Sequence, residues 1–244
     1  MPSVAFRFYA SLNDFLPADC QQRRFAHTLK ERASVKDVIE SLGVPHPEVE
    51  LILVDGESVG FDYLVQGGET ISVFPRFSSL DITGVSQVRP PPLEAPRFVL
   101  DVHLGKLANY LRLLGFDALY RNDYADDELA QISHHQQRVL LTQDRGLLKR
   151  SLVIYGYGVR SSDPEVQIQE ILARFSLRDA IAPLSRCPRC NGLLERVDKQ
   201  DVYDDLPHYT RLSYEQFSRC QNCRQVYWKG AHYRRIQGLI ERIS

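Results

Sequence analysis

Four of the five cysteines in this chain form two C-x-x-C pairs with the spacing of a metal site. The pairs are Cys187 with Cys190 and Cys220 with Cys223, and 29 residues lie between them. Each pair puts two sulfurs on one tight turn, and this spacing is typical of a zinc ribbon with four thiolate ligands. Two disulfides or four buried thiols are the alternatives. Because four thiolates leave no open coordination position, we predict that the Zn²⁺ is structural.

The N-terminal residues and the cysteine motifs predict the cellular compartment. The N-terminus lacks a basic region followed by an apolar stretch, so it does not resemble a secretion signal. Paired cysteine motifs without such a signal predict a reducing, cytoplasmic compartment. Cys20 belongs to no motif, and we expect a free thiol without a role. No run of eighteen apolar residues is present, so no membrane span is predicted.

A second candidate site consists of aspartates that follow predicted strands. Asp101 ends the apolar run Phe98-Val99-Leu100, and Asp144 follows the strand-like residues 138–142. In open parallel sheets, ligands bind beyond the carboxyl ends of the strands, so we expect such carboxylates to converge there. Clustered carboxylates need a neutralising cation, and hard oxygen ligands select Mg²⁺ or Mn²⁺. Such an ion can activate water and stabilise the leaving oxygen of a phosphodiester.

Turns and helix termini offer a structural explanation for several of these acids. For four of these acids, a role in a turn or at a helix start is about as good an explanation as metal binding: Asp123, Asp126, Asp127 and Asp163. Asp101 and Asp144 are harder to explain in this way, because each closes an apolar strand, where an unpaired buried carboxylate is costly. We therefore predict Asp101 and Asp144 as metal ligands, with Asp126 or Asp127 as a further catalytic acid. The roles of Asp123 and Asp163 stay open.

Three basic side chains are close enough in sequence to these acids to hold phosphates: Lys106, Arg145 and Lys149. Solvated surface charge is the alternative for each of them. His103, two residues after Asp101, is expected to be a structural or rim histidine and not a ligand.

The central elements that would position these residues alternate between strand and helix. Strands are predicted at 97–100, 116–120, 138–142 and 152–155. Between the first two strands, apolar residues recur at helical spacing up to Gly115: Leu104, Leu107, Ala108, Leu111 and Leu114. Asp163 and Pro164 fit the start of a last helix. This alternation predicts a parallel α/β sheet with helices on both faces.

Residues 1–77 indicate a separate α+β domain. Strands are predicted near 4–9, 51–54 and 70–75, and Ser34 caps a helix that ends at Gly43. This order resembles a β-grasp, ubiquitin-like domain of the sulfur-carrier type. Such carriers need a free C-terminal Gly-Gly, whereas Gly67-Gly68 precedes the last strand here. We therefore expect a docking module for an unknown protein partner.

Composition divides the chain into modules. The proline-rich stretch within residues 78–96 predicts a linker, which separates domains at 1–77, 97–182 and 183–244. Residues 1–96, 97–182 and 183–244 carry net charges of −5, 0 and +4, so contact with a polyanion is favoured toward the C-terminus.

The C-terminal tail combines basic and aromatic side chains. Between Arg219 and Arg242 there are six basic residues and one acid, with Tyr227, Trp228 and Tyr233 among them. Aromatic faces beside phosphate-binding charges suit single-stranded nucleic acid. The alternative is that Tyr227 and Trp228 pack the zinc ribbon.

About residues 97–235 resemble the Mut-seven C-terminal RNase family. The resemblance is carried by four parts of the sequence: 98–108, 111–117, 140–148, and the cysteine pairs with Tyr227 to His232. That family combines a PIN-like nuclease fold with a zinc ribbon, and bacterial members often carry a ubiquitin-like N-terminal domain. Thr142-Gln143-Asp144 matches the late acidic motif of PIN-like nucleases, and Asp101 matches their first acid. The resemblance implies RNA as the substrate.

We therefore predict a multi-domain chain of α/β and α+β type, with an N-terminal β-grasp domain, a central PIN-like parallel α/β sheet and a C-terminal zinc ribbon. The predicted function is divalent-metal-dependent hydrolysis of phosphodiesters in single-stranded RNA. A non-catalytic RNA-binding adaptor with a β-grasp docking domain is the main alternative, and the toxin of a two-component pair is a weaker one. DNA as substrate, endonuclease or exonuclease action and the oligomeric state stay open.

Overall fold

The computed structural model of the chain describes residues 2–77, 82, 84–230, 233, 237–238 and 240–242. The chain divides into two compact units. The first unit contains Met1–Glu94 and Ala130–Gly158, and the second contains Ala95–Leu129 and Val159–Ser244. The first unit thus combines the N-terminal domain with a segment from the centre of the chain.

The regular elements follow one another along the chain as mixed strands and helices. The strands are β1 (Ser3–Phe8), β2 (Phe25–Thr28), β3 (Leu51–Val54), β4 (Glu57–Ser58), β5 (Thr70–Phe74), β6 (Phe98–Leu100), β7 (Ala118–Leu119), β8 (Val139–Thr142), β9 (Gly156–Gly158), β10 (Leu194–Val197), β11 (Phe217–Cys220) and β12 (Val226–Trp228). The α-helices are α1 (Val35–Ser41), α2 (Gly105–Leu113), α3 (Asp126–Gln136), α4 (Arg145–Leu148), α5 (Pro164–Arg174) and α6 (His208–Ser213). Short 3₁₀ helices lie at Ala10–Phe15, His46–Glu48, Val102–Leu104, Arg178–Ala180 and Lys199–Asp205.

The N-terminal strands form the predicted β-grasp sheet in the order β2-β1-β5-β3-β4. The neighbours β1 and β5 are parallel, and the other pairs are antiparallel. The core behind the sheet is fully buried, as Phe6, Ile39 and Ile71 show with 0% exposure. Helix α1 begins as predicted, because the Ser34 hydroxyl accepts the Asp37 N–H at 3.1 Å.

Two strands of this sheet were not predicted. Strand β2 alternates between partly buried and exposed residues at one edge of the sheet, and β4 has only two residues. Neither contains the continuous apolar run that marks a buried strand, so the sequence signal is weak. Gly67 and Gly68 lie in the turn before β5, as predicted, with φ of +109° and +96°.

Parallel strand pairs form the centre of the chain, as predicted. In the first unit β8 pairs with β9, and in the second unit β6 pairs with β7. The strand predicted at 152–155 is wrong, because the strand is β9 at Gly156–Gly158, and Leu152 and Ile154 are 39% and 43% exposed. Gly156 makes β9 fit closely, since a Cβ on Gly156 would lie 2.9 Å from a methyl group of the buried Leu148, which would have to shift.

Helix α2 buries the predicted apolar stripe almost completely. All of its members are at most 1% exposed: Leu104, Leu107, Ala108, Leu111 and Leu114. Gly115 follows the helix with a φ of +97°, which a glycine adopts without strain. At the next predicted start, Asp163 accepts the N–H groups of Glu165 and Val166, and Pro164 is the first residue of α5.

The C-terminal strands form an antiparallel sheet in the order β10-β11-β12. It packs on a small core of buried residues: Val202, Leu206, Phe217 and Val226. Within the described residues, no helix is long and apolar enough to cross a membrane.

The predicted linker lies partly outside the described residues, namely at Ser78 to Asp81 and at Thr83. Its described part contains no helix or strand, yet it packs on the N-terminal domain. Val88 joins the core of that domain, and Arg89 forms a 3.1 Å ion pair with Glu50.

Candidate metal centre and candidate nuclease site

The four paired cysteines converge on one point of the second unit. Their sulfurs all lie within 4.8 Å of one another. Cys187 Sγ is 3.6 Å from Cys223 Sγ, and Cys190 Sγ is 3.4 Å from Cys220 Sγ. A tetrahedron with Zn–S bonds of about 2.3 Å has sulfur–sulfur edges of about 3.8 Å. All four thiols are free, so the disulfide alternative is wrong, and the cluster can hold a metal ion and fits zinc.

The two cysteine turns have the same backbone geometry. In the first turn the N–H of Cys187 donates to Gly192 O at 2.8 Å, and the N–H of Asn191 donates to Cys187 O at 2.9 Å. In the second turn Cys220 and Arg224 make the equivalent bonds, to Gln225 O and Cys220 O. Asn191 and Arg224, which follow the second cysteine of each turn, have φ of +67° and +61°. The structure therefore confirms two equivalent cysteine turns, which together can hold a metal ion.

The surroundings of the sulfurs change the acidity of the thiols. Burial raises the pKa of Cys190 to about 12. Burial also raises the pKa of Cys220, but the N–H groups of Cys223 and Asn222 outweigh it and lower that pKa to about 7. Because thiols bind metal as thiolates, metal binding must release protons from this cluster.

Two further residues support the sulfurs directly. The Tyr227 hydroxyl lies 3.0 Å from Cys187 Sγ, and burial together with this contact raises the pKa of Tyr227. Gly192 leaves space for the cluster, since a Cβ there would lie 2.9 Å from Cys220 Sγ. These contacts agree with the predicted alternative in which Tyr227 packs the ribbon, and Trp228 packs beside the ribbon core.

Arg112 of α2 anchors the first cysteine turn, and the sequence analysis did not predict this role. Its side chain is 7% exposed, and burial lowers the pKa of its guanidinium. Nη1 donates to Pro188 O and Arg189 O at 3.2 and 3.3 Å, and Nε donates to Ala118 O at 2.8 Å. One buried cation thus joins helix α2, strand β7 and the first cysteine turn.

Asn191 makes a second connection between the same turn and β7. Its Oδ1 accepts the Ala118 N–H at 3.0 Å, and its Nδ2 donates to Asp117 Oδ1 at 2.8 Å. Asp117 also pairs with Arg186 at 3.4 Å. The position of Asn191 directly after the C-x-x-C pair was the available sequence signal, because Asn tolerates a positive φ better than most residues.

Asp101 lies at the carboxyl end of β6, as predicted. It is 6% exposed, and its Oδ1 accepts the Val102 N–H at 2.6 Å at the start of a 3₁₀ helix. The carboxylate therefore caps this helix. The sequence analysis had judged a capping role less suitable for Asp101 than for the other acids.

Asp144 follows β8 in the first unit and caps α4. Its Oδ1 accepts the N–H groups of Gly146 and Leu147 at 2.6 and 3.3 Å. Thr142, which is fully buried, accepts the Asp144 N–H through Oγ1 at 2.9 Å. The Thr-x-Asp motif thus forms a local turn that orients Asp144. Asp144 itself is exposed, so the expectation of a buried carboxylate is wrong here.

The remaining acids of the predicted site belong to the second unit and are exposed. Asp126 and Asp127 lie in the first turn of α3. Asp123 pairs with Arg121 at 2.8 Å, and this hydrogen bond lowers its pKa. Among the described residues, the cysteines form the only group of three or more ligand side chains close enough to share an ion. Asp101, Asp126 and Asp127 do not form one.

Two of the basic candidates make contacts that were not predicted. Arg145 donates to backbone carbonyls of Asp14 and Phe15, and Lys149 donates to Glu40 O. Lys106 and His103 are exposed. In the C-terminal tail, Arg224 and Arg242 pair with Glu195 and Glu165, whereas Arg234 and Arg235 lie outside the described residues.

The fold and the cysteines define a multi-domain α/β protein with a four-cysteine cluster that can hold a metal ion. A family model described as the Mut7-C RNAse domain matches residues 96–240, which is 145 of the 244 residues. The chain therefore belongs to the Mut7-C RNAse domain family, as the resemblance predicted, and this membership indicates a nuclease. A model described as Mut7-C ubiquitin matches residues 1–81. No curated protein and no solved structure matches the chain.

Proposed function

We propose that this chain is a divalent-metal-dependent ribonuclease that hydrolyses single-stranded RNA in the cytoplasm. The observation that carries the proposal is the position of Asp101 and Asp144, which follow the carboxyl ends of β6 and β8. The chain also belongs to an RNAse family. Ligands of parallel sheets bind at this end of the strands. Residues 97–182 would form the nuclease domain, flanked by the domains 1–77 and 183–244.

In this proposal Asp101 and Asp144 are metal ligands, and Asp126 or Asp127 adds a catalytic acid. The Asp101 carboxylate is held by its bond from the Val102 N–H, and Thr142 orients Asp144. In the described part of the chain, the cap contacts of Asp144 go to Oδ1, so Oδ2 is the oxygen available to a ligand. Bound Mg²⁺ or Mn²⁺ would supply an activated water and stabilise the leaving oxygen.

RNA as substrate is supported by the family and by the charge of the C-terminal domain. In our proposal the zinc ribbon, with Zn²⁺ in its structural role, grips the substrate through basic side chains such as Arg219 and Lys229. Neutralising phosphates with Lys and Arg makes binding depend on salt, so affinity for RNA should fall as the salt concentration rises.

The test is cleavage of labelled single-stranded RNA by the zinc-loaded protein with Mn²⁺, with Mg²⁺ and with EDTA. A metal ion contributes several kcal/mol to transition-state stabilisation, so Asp101→Asn and Asp144→Asn should each reduce cleavage about 100-fold or more. Both substitutions keep a cap acceptor, so the melting temperature should change little. Unchanged cleavage in both variants would contradict the proposal.

Asp163→Asn is the matched control, because Asp163 caps α5 with the same pair of contacts that Asp144 makes to α4. We expect this variant to cleave RNA like the unaltered protein. Equal losses of cleavage in Asp144→Asn and Asp163→Asn, accompanied by an equal fall in melting temperature, would show that the substitutions act through capping and not through metal binding.

A non-catalytic RNA-binding adaptor is the second candidate. It is favoured by the observation that Asp101, Asp144 and Asp163 all act as helix caps. An adaptor would bind RNA equally well with EDTA and show no turnover with either metal. A parallel assay with single-stranded DNA tests whether the substrate must carry a 2′-hydroxyl.

A further inference from the structure

The N-terminal domain contacts the segment that follows Asp144 through helix ends. Arg145 Nη1 donates to Phe15 O at 2.9 Å, Nη2 donates to Asp14 O at 3.1 Å, and the guanidinium lies 5.1 Å from the centre of the Phe15 ring. Asp14 and Phe15 end a 3₁₀ helix, where carbonyls lack partners within the helix and attract cations.

Lys149, one residue after α4, repeats this arrangement at a second helix end. Its Nζ donates to Glu40 O at 2.6 Å, near the C-terminus of α1. Two cations, at the first residue of α4 and directly after its last residue, therefore bind the ends of two helices of the N-terminal domain. Sequence position had made both of them candidates for phosphate binding, whereas the structure engages both with protein carbonyls.

A buried polar cluster of the N-terminal domain extends the same contact. The His46 ring bridges Glu40 Oε1 at 2.7 Å and Val153 O at 2.8 Å. The carboxylate of Glu48, which is 1% exposed, accepts the Gly158 N–H at 2.7 Å. Without residues 153–158, these buried groups would lose partners at a cost of about 1–3 kcal/mol each. Such an interface is part of the folded state and not an occasional encounter.

Helix α4 needs outside support because it has only four residues. A helix this short is unstable by itself, because the conformational free energy of nucleating a helix exceeds what the hydrogen bonds of a single turn contribute. Asp144 is the cap of this helix, so whatever fixes α4 also fixes the orientation of the Asp144 carboxylate.

We infer that the N-terminal domain is an intramolecular partner that holds α4, with Arg145 as the positioning residue for Asp144. The inference rests on the proposed function insofar as Asp144 binds the catalytic metal. The surface formed by Asp14, Phe15, Glu40, His46 and Glu48 is then occupied by the chain's own residues 145–158. A separate protein partner of this domain would have to use another face.

The experiment measures Mn²⁺ binding to the full-length, zinc-loaded protein by electron paramagnetic resonance, beside hydrogen exchange of residues 139–149. Arg145→Gln should weaken Mn²⁺ binding about 10-fold, as for other residues that orient a metal ligand, and should speed exchange in α4. Arg24→Gln is the control, because Arg24 is an exposed arginine of the N-terminal domain and lies in the same compact unit as Arg145. It should change neither readout. Lys149→Gln should act like Arg145→Gln with a smaller effect.

The outcomes separate this inference from the proposed function. Unchanged exchange and unchanged Mn²⁺ affinity in Arg145→Gln and Lys149→Gln would overturn the inference. Faster exchange with unchanged Mn²⁺ affinity would also overturn the positioning role, because the contact would then be only structural. Asp144-dependent Mn²⁺ binding without RNA cleavage in the unaltered protein would refute the nuclease but leave the positioning role to be decided by Arg145→Gln. Mn²⁺ binding that does not depend on Asp144 would refute both.

Discussion

The first cysteine turn and helix α4 are both short segments held by distant parts of the sequence, but they are held in opposite ways. Two carbonyls of the cysteine turn accept hydrogen bonds from the buried guanidinium of Arg112. Helix α4 instead offers cations, Arg145 and Lys149, to the carbonyls of the N-terminal domain. The four-cysteine cluster that includes this turn can also hold a metal ion, whereas the contacts described for α4 are all with protein groups. The comparison suggests that zinc loss and domain loosening should affect different parts of the chain.

The largest effect should come from removing a sulfur ligand. Cys220→Ser should abolish zinc binding and unfold the ribbon, since structural zinc binding is worth on the order of 10 kcal/mol. Zinc content and circular dichroism would measure this. Cys20→Ser is the matched control, because Cys20 lies outside the cluster, and it should keep its zinc. A zinc-loaded, folded Cys220→Ser protein would contradict the four-thiolate site.

The next largest effect should come from the anchor of the cysteine turn. Arg112→Met keeps much of the side-chain volume but removes the donors to Ala118, Pro188 and Arg189. Hydrogen bonds from charged groups contribute about 1.5–3 kcal/mol each, so we expect a loss of about 3 kcal/mol in the free energy of unfolding. Denaturant unfolding gives the loss, and hydrogen exchange should rise in β7 and the first cysteine turn but not in α4. Faster hydrogen exchange in α4 instead would contradict the view that the cysteine turn and α4 are held independently.

On the other side of the comparison, Glu48→Ala should loosen the contact with residues 153–158. The Gly158 N–H would lose its carboxylate acceptor, at a cost of about 2 kcal/mol. We expect faster exchange in β9 and α4, with zinc content unchanged. Glu48→Gln keeps an oxygen at the same place and should cost less. If Glu48→Ala lowers zinc content, the two regions are not independent.

The smallest effect concerns acid stability in the N-terminal domain, away from both regions. Glu69 is 8% exposed, and although burial raises its pKa, the N–H groups of Gln66 and Gly67 outweigh this and lower it. A lowered pKa stabilises the fold above the unfolded-state value of about 4.5, and this contribution disappears as the pH falls through the folded-state value. Glu69→Gln should therefore cost about 1 kcal/mol at pH 7 and almost nothing near pH 2. An equal cost at both pH values would contradict this cause.

Some features of this protein could be predicted from its sequence, and others could not. The four-cysteine cluster was predictable because two C-x-x-C pairs each form a local turn with a fixed geometry. Helix α2 was predictable because its apolar spacing matches one helical face. Strand β9 was placed wrongly, since a run of apolar residues at 152–155 gives the same signal as a buried strand, whereas Gly156 and Gly158 give none. The acids at strand ends were located correctly, but their roles as metal ligands are still proposals.

The sequence by itself determined the cysteine centre, the β-grasp and α/β elements and the family, because these depend on local spacing and on periodicity. Only the tertiary structure decided that Arg112 and Asn191 tie the first cysteine turn to β7, and that Arg145 and Lys149 bind helix ends of the N-terminal domain. A charged side chain looks the same in sequence whether it faces water, phosphate or a carbonyl. Its partner is chosen by which backbone groups the fold brings within hydrogen-bond distance.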